Sequence, residues 1–173
     1  MSFLVISSSL NSQSKSALLA RAAYDSLEKQ GKIVDWLDLR DIELPLCDGD
    51  KSYGHANVAA VSRRIKEASS ILLAVPIYNY DCGSSAKNLV ELTGKAWEKK
   101  TVGFLCAAGG KSSYMSMMGL ANSLMLDFRC LIIPRFVYAD GDSFKGESLD
   151  DAKISTRIDE LAAACIKLDG VGL

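Results

Sequence analysis

Between positions 7 and 16 the chain runs Ser7-Ser8-Ser9-Leu10-Asn11-Ser12-Gln13-Ser14-Lys15-Ser16, directly after the apolar stretch Phe3-Leu4-Val5-Ile6. Hydroxyls and open backbone amides at the start of a helix suit a phosphate, whose charge the helix dipole also favours. The segment contains neither G-x-G-x-x-G nor G-x-x-x-x-G-K-[ST], so neither a dinucleotide fingerprint nor a nucleotide-triphosphate loop is supported. A second segment, Pro76-Ile77-Tyr78-Asn79-Tyr80-Asp81-Cys82-Gly83, offers two aromatic rings and several amides in one turn. A planar heteroaromatic ligand needs just such apolar walls for its faces and a few hydrogen bonds for its polar edge. A third, Ala107-Ala108-Gly109-Gly110-Lys111-Ser112-Ser113, carries paired glycines that let backbone approach a ligand closely.

The elements around these segments alternate. Apolar, β-rich runs occur at 3–7, Ile33–Leu37, Ile71–Val75, Thr101–Ala107 and Cys130–Ile133. Helical patterns lie between them. The first sets Leu19, Ala23 and Leu27 on one face and ends near Gly31; others are expected at Ala56–Ala68, Ser84–Thr93 and Ser112–Leu126. The last, about 150–168, places Ile154, Ile158, Leu161, Cys165 and Leu168 at steps of four and three. Five short strands separated by helices imply an α/β fold with a parallel sheet covered on both faces. Ligands of such sheets bind outside the carboxyl ends of the strands. The segments 8–16, 76–83 and 107–113 occupy three of those ends, which makes them one candidate site. The stretch 40–57, with Pro45, Gly49 and Gly54, is a long loop of the kind used for binding, as a lid or at an interface.

Composition narrows the function classes. With 173 residues, one domain is expected over 1–173. Lys and Arg total 20 against 21 Asp and Glu, a net charge of −1, which favours neither a nucleic-acid partner nor a dedicated acidic electron carrier. No apolar run approaches the roughly 18–20 residues that span a bilayer, and no Lys or Arg precedes the first apolar stretch as a secretory signal requires. The five cysteines are scattered without a CxxC pair, so the expected compartment is a reducing cytoplasm and no zinc or disulfide framework is expected. Asp140, Asp142, Asp150 and Asp151 lack regular metal-ligand spacing, and no metal is assigned. The single histidine, His55, lies in the long loop, and no G-x-S-x-G elbow is present, which argues against a Ser-His-Asp hydrolase. Met115, Met117, Met118 and Met125, with Leu120, Leu124, Leu126 and Phe128, make the fourth helix apolar almost all round, and that excess points to burial against a second subunit.

Together the motifs resemble the NADPH-dependent FMN reductase family, a flavodoxin-like group. The family pattern G-S-x-R-x-x-S-x-N is similar to Ser8-Ser9-Leu10-Asn11-Ser12-Gln13-Ser14-Lys15-Ser16. A second pattern, P-E-Y-N followed by L-K-N, is matched by Pro76-Ile77-Tyr78-Asn79 and by Ala86-Lys87-Asn88; the glycine-rich segment is matched by Ala108-Gly109-Gly110-Lys111. The resemblance spans about residues 2–135. It implies a three-layer sandwich with a five-stranded parallel sheet of order 2-1-3-4-5. It also implies FMN as cofactor, NAD(P)H as electron donor, and flavin, quinone, azo or metal-oxyanion acceptors in a homodimer or homotetramer. Carried over by position, Ser9, Asn11, Ser14, Lys15 and Ser16 would surround the FMN phosphate. Pro76, Ile77, Tyr78, Asn79 and Tyr80 would line the ribityl chain and isoalloxazine, with Gly109 and Gly110 close to the ring. Asn11 stands where the family carries Arg, and Ile77 where it carries Glu. No side chain is assigned a catalytic role, because a flavin supplies the redox step itself. The second reading is an FMN-binding electron carrier or sensor without NAD(P)H turnover.

Overall fold

The computed structural model describes residues 2–171. Its centre is a parallel sheet of β1 (Ser2–Ser7), β2 (Val34–Asp38), β3 (Ala68–Tyr78) and β5 (Thr101–Ala107), in the order β2-β1-β3-β5. Alternate residues of β1 face opposite ways: Phe3 and Val5 join one core, Leu4 and Ile6 the other. A strand apolar on both faces must be covered on both, and the helices divide accordingly. On one side lie α1 (Lys15–Lys29), burying Leu19, Ala20, Ala23 and Leu27, and α5 (Ala152–Lys167), burying Ile154, Ile158, Leu161 and Cys165. Ser26 of α1 donates to the Asp159 carboxylate of α5 at 2.6 Å. On the other side lie α2 (Ala56–Glu67), α3 (Ser84–Thr93) and α4 (Met118–Phe128), packed with Trp97 and Phe104 in a second core. Each fully buried large apolar side chain contributes about 1.5–3 kcal/mol.

The fold is the expected sandwich, with differences in count and extent. The fifth strand, expected at Cys130–Ile133, is two pieces, β6 (Leu131–Ile132) and β7 (Val137–Ala139), both parallel to β5. Pro134 has no amide to give to a ladder, and Arg135 at φ +64° turns the chain aside between the pieces. The helix expected at Ser112–Leu126 begins instead as a 3₁₀ segment, Lys111–Met117, with Ser113 at non-helical φ −97°, ψ 25°. Serine hydroxyls compete locally with helical hydrogen bonds, and Gly110 before them supplies no side-chain cap. A short hairpin of β8 (Phe144–Lys145) and β9 (Ser148–Leu149) completes the chain before α5.

The long loop 40–57 is held near its end and at a point within it. His55 caps α2 through Nδ1, which accepts from the Asn57 amide at 3.2 Å. Asn88 of α3 donates to the Pro45 carbonyl at 2.9 Å and accepts from the Cys47 amide at 2.8 Å. A short 3₁₀ turn, Lys51–Gly54, lies between these anchors.

Candidate functional site

The chain crosses from β2 on one side of β1 to β3 on the other, so the crevice at the carboxyl ends of β1 and β3 is a topological switch point. Register places Ser7 beside Ala74 and Pro76 beside Ala107, aligning the ends of β1, β3 and β5. The three polar segments leave from those ends.

The first loop is fastened to its neighbours. Ser8 donates from both its amide and hydroxyl to the Ala74 carbonyl, at 3.1 and 2.8 Å, and Ser85 of α3 donates to the Ser8 carbonyl at 2.5 Å. Ser9, Ser14 and Ser16 are 2%, 7% and 1% exposed. Ser14 is the N-cap of α1: its Oγ accepts from the Ala17 amide at 3.1 Å and lies 3.0 Å from the Ser16 Oγ. The other two predicted residues of this loop project differently. Asn11 turns its Oδ1 back onto the Gln13 amide at 2.9 Å, and Lys15 extends its Nζ to the Gly146 carbonyl in the β8–β9 turn.

Arg40 also supports this loop, which sequence reasoning missed. Its guanidinium holds the buried Asp38 carboxylate through Nε at 3.0 Å and Nη2 at 2.5 Å, while Nη1 donates to the Ser12 carbonyl at 3.2 Å. Burial pushes the Asp38 carboxyl up, but the Arg40 bonds and charge outweigh it and hold the group below the usual carboxylate range. No local pattern marks Arg40, because its partner Ser12 lies across the sheet edge.

The segment 76–83, expected as a loop, is largely strand. β3 continues through Tyr78, folds at Asn79 and Tyr80, and returns as β4 (Asp81–Cys82), with Tyr78 opposite Asp81 and Ile77 opposite Cys82. Both turn residues have positive φ, +50° for Asn79 and +68° for Tyr80. Asn tolerates that conformation; a tyrosine adopts it at a cost. Pro76 and Ile77 are buried, and Ile77 packs into the core, so its contribution to the crevice is backbone. Tyr78 and Tyr80 stand out, 55% and 60% exposed. Gly83 donates to the Pro76 carbonyl at 2.8 Å, and a Cβ there would lie 2.9 Å from Pro76 Cγ, so only glycine closes the turn without displacement. Burial pushes the Cys82 thiol up to about 11, with the Asp81 charge adding to it, so the thiol stays protonated at neutral pH.

The glycine segment is braced from outside. Tyr80 donates its phenol to the Ser112 carbonyl and Tyr138 to the Gly110 carbonyl, each at 2.5 Å, and the Tyr138 ring meets Tyr114 edge-on at 5.7 Å. Lys111 lies 3.7 Å from Asp140 and 3.5 Å from Asp142. Among the described residues, no atom lies within 4 Å of where a Cβ at Gly109 or Gly110 would stand, so none of them fills the space beside this backbone. Buried hydroxyls at a helix start, two projecting rings and an unfilled glycine backbone are groups that suit a phosphorylated planar ligand: donors for its phosphate, apolar faces for its ring and room beside the backbone.

Residues 1–144 match the family model described as NADPH-dependent FMN reductase. The chain belongs to this family. FMN is therefore its cofactor and NAD(P)H its electron donor. No sequence among curated proteins matches it. Among solved structures, it is similar to FerB, a flavoenzyme NAD(P)H:(acceptor) oxidoreductase from Paracoccus denitrificans, at TM-score 0.80 and 18% identity, covering 99% of each chain. An oxidoreductase from Corynebacterium diphtheriae aligns at TM-score 0.81 and 16% identity over 99% of this chain and 98% of that one. An FMN-dependent NADH-azoreductase from Bacillus anthracis, in complex with FMN, aligns at 0.70 and 12% identity over 95% and 99%. At these identities the likenesses establish the flavodoxin-like fold that carries the FMN reductase motifs.

Proposed function

We propose that this FMN reductase holds its cofactor across the β1/β3 crevice and reduces small-molecule acceptors there: free flavin, quinones, azo compounds or metal oxyanions. The observation that carries the reading is the convergence of the buried Ser9, Ser14 and Ser16 hydroxyls with the Tyr78–Tyr80 turn and the Gly109-Gly110 backbone along one edge of the sheet. The serine hydroxyls and the first-turn amides of α1 would hold the phosphate, supplemented by Asn11 and Lys15 at the rim. The backbone of Pro76, Ile77 and Asn79, with the Tyr78 and Tyr80 rings, would flank the ribityl chain and ring, and Gly109 and Gly110 would let the ring lie close. When bound, FMN supplies the redox chemistry, accepting a hydride from NAD(P)H and passing electrons onward. The protein's residues bind, orient and exclude water, and none needs to act as a general acid or base.

Residues 1–173 form one functional domain in this reading, and the working unit is a homodimer or homotetramer. Met115, Met118, Met125 and Leu126 around α4, and Leu46 on the long loop, are large apolar side chains left exposed on one copy, with Leu126 83% and Leu46 81% open. A second copy over that face would cover them. Five free cysteines fit a reducing compartment such as the cytoplasm.

The test begins with the flavin spectrum of the purified protein, or of protein titrated with FMN. Bound FMN supports the placement, and failure to bind FMN refutes it. Steady oxidation of NADH or NADPH that depends on an added quinone or azo dye supports the acceptor class; oxidation with none of the four acceptor types refutes it. Light scattering then reads the assembly, and a monomer at micromolar concentration removes the second copy.

A further inference from the structure

The strand beside β5 is interrupted, and a cavity lies at the interruption. β6 pairs with Thr101 and Val102 of β5, and β7 with Leu105 to Ala107, so the pairing skips Gly103 and Phe104. The stretch that joins the two pieces, from Ile133 through Arg135 to Phe136, lines a cavity of about 400 Å³ against α5. Phe136 is fixed there by an edge-on contact with the buried Phe104 ring at 5.2 Å. The opposite wall is one face of α5, formed by Arg157, Glu160, Leu161 and Ala164, and Tyr114 completes the lining. Among the described residues no carboxylate forms an ion pair with Arg135 or Arg157. Set against Glu160, the two guanidinium groups leave the cavity with an excess of one positive charge. Arg135 is also held at φ +64°, a conformation that costs a bulky residue free energy and that recurs at ligand clamps. Neither arginine takes part in the proposed placement of FMN.

We infer that this cavity is a second small-molecule site, separate from the FMN crevice, and that its ligand is an aromatic carboxylate. The site goes beyond the reductase reading and does not depend on it. Its volume falls in the range of small-ligand pockets, roughly 300–1,000 Å³. The lining decides the class of ligand. Phe136, Tyr114, Leu161 and Ala164 offer apolar surface to a ring, which an inorganic anion would leave wet. The two guanidinium groups present planar forks that match a carboxylate's two oxygens, and a neutral ring would leave them unanswered. A single carboxylate also cancels the excess of one charge.

The test titrates the purified protein, with whatever flavin it carries, by calorimetry with naphthoate and with the neutral naphthamide. Naphthoate is expected to bind at least about tenfold more tightly, with the difference shrinking as salt rises. Arg157→Gln, an exposed exchange of one good helix former for another, is expected to remove most of that ratio, and Arg157→Lys to retain part of it. Arg135→Asn, a residue that tolerates positive φ, is expected to lower it as well. Absence of naphthoate binding, equal affinities for the two probes in the native chain, or an unchanged ratio in Arg157→Gln would overturn the assignment. Flavin fluorescence is followed in the same titration, and release of FMN in step with naphthoate binding would put the probe in the crevice and overturn it too. Neither FMN binding nor turnover is required, so a chain that fails to hold FMN counts against the crevice reading and leaves this measurement to be judged by itself.

Discussion

The two ends of the candidate FMN site are built on opposite plans. At the phosphate end the hydroxyls are buried, Ser14 and Ser16 lie 3.0 Å apart as a hydrogen-bonded pair, and Ser9 accepts from the Asn11 amide at 3.3 Å. At the ring end the groups are exposed, and the backbone is braced by phenols that reach across from Tyr80 and Tyr138. A buried hydroxyl constellation specifies one anion, because an unmatched hydrogen bond there is costly. An exposed, braced backbone specifies only a plane. In the proposed placement, the difference would set cofactor choice at the helix start and leave tolerance toward acceptors to the other end.

Several substitutions would break or sharpen that contrast. The largest effect is expected from Ser14→Ala combined with Ser16→Ala, which should weaken FMN binding by about tenfold to a hundredfold through loss of charge-assisted hydrogen bonds. Riboflavin, which lacks the phosphate, should bind the variant and native chains alike in a fluorescence titration; an equal loss for both flavins would erase the distinction between the ends. Gly83→Ala should destabilise the fold by about 1–3 kcal/mol, because its Cβ meets Pro76 Cγ at 2.9 Å, and thermal melting reads this directly.

Asp38→Asn comes next, at about 1–2 kcal/mol of stability at neutral pH, since charge-assisted bonds from Arg40 are lost. The sign with pH follows from the depressed folded value. The stabilisation is present above the ordinary Asp range near 4 and is lost as pH falls through the lower folded value, so the native chain should lose stability on acidification more steeply than Asp38→Asn. Chemical denaturation at stepped pH below 5 checks it, and parallel curves would dissociate Asp38 from acid stability. The smallest effect is assigned to Tyr80→Phe, about 1 kcal/mol, which should loosen the glycine segment and lower FMN and riboflavin affinity together by a few-fold. A loss confined to FMN would place Tyr80 with the phosphate end instead.

Much of this arrangement was legible in the residues. The α3 span Ser84–Thr93 and the strand Thr101–Ala107 follow from periodicity and apolar runs, and the serine trio from its place after the first strand. The Asn79–Tyr80 hairpin was not, because a turn with two positive φ values usually announces itself with glycine, and here a tyrosine fills the second position. The break at Pro134 was hidden for a related reason: a single proline after an apolar run reads as the end of a strand, and nothing local says that pairing resumes at Val137. Arg40, Ser85 and Tyr138 were invisible as site residues because each acts on backbone far away in sequence. Lys15 and Asn11 show the converse, since motif position predicts where a residue sits but leaves its side chain free to find a nearer partner.

The amide of Asn88 imitates a peptide unit, giving and taking one hydrogen bond each from the backbone at 45 and 47. In effect it is a rung of sheet made from a side chain, and it divides the long connection after β2 into two arcs. The arc before it shares a cavity of about 660 Å³ with Leu10 and Ser12 of the phosphate loop, whereas the arc beyond it does not line that cavity. Under the proposed placement of FMN, the second arc is the stretch of this connection where insertions or substitutions would change the surface with the least effect on the flavin.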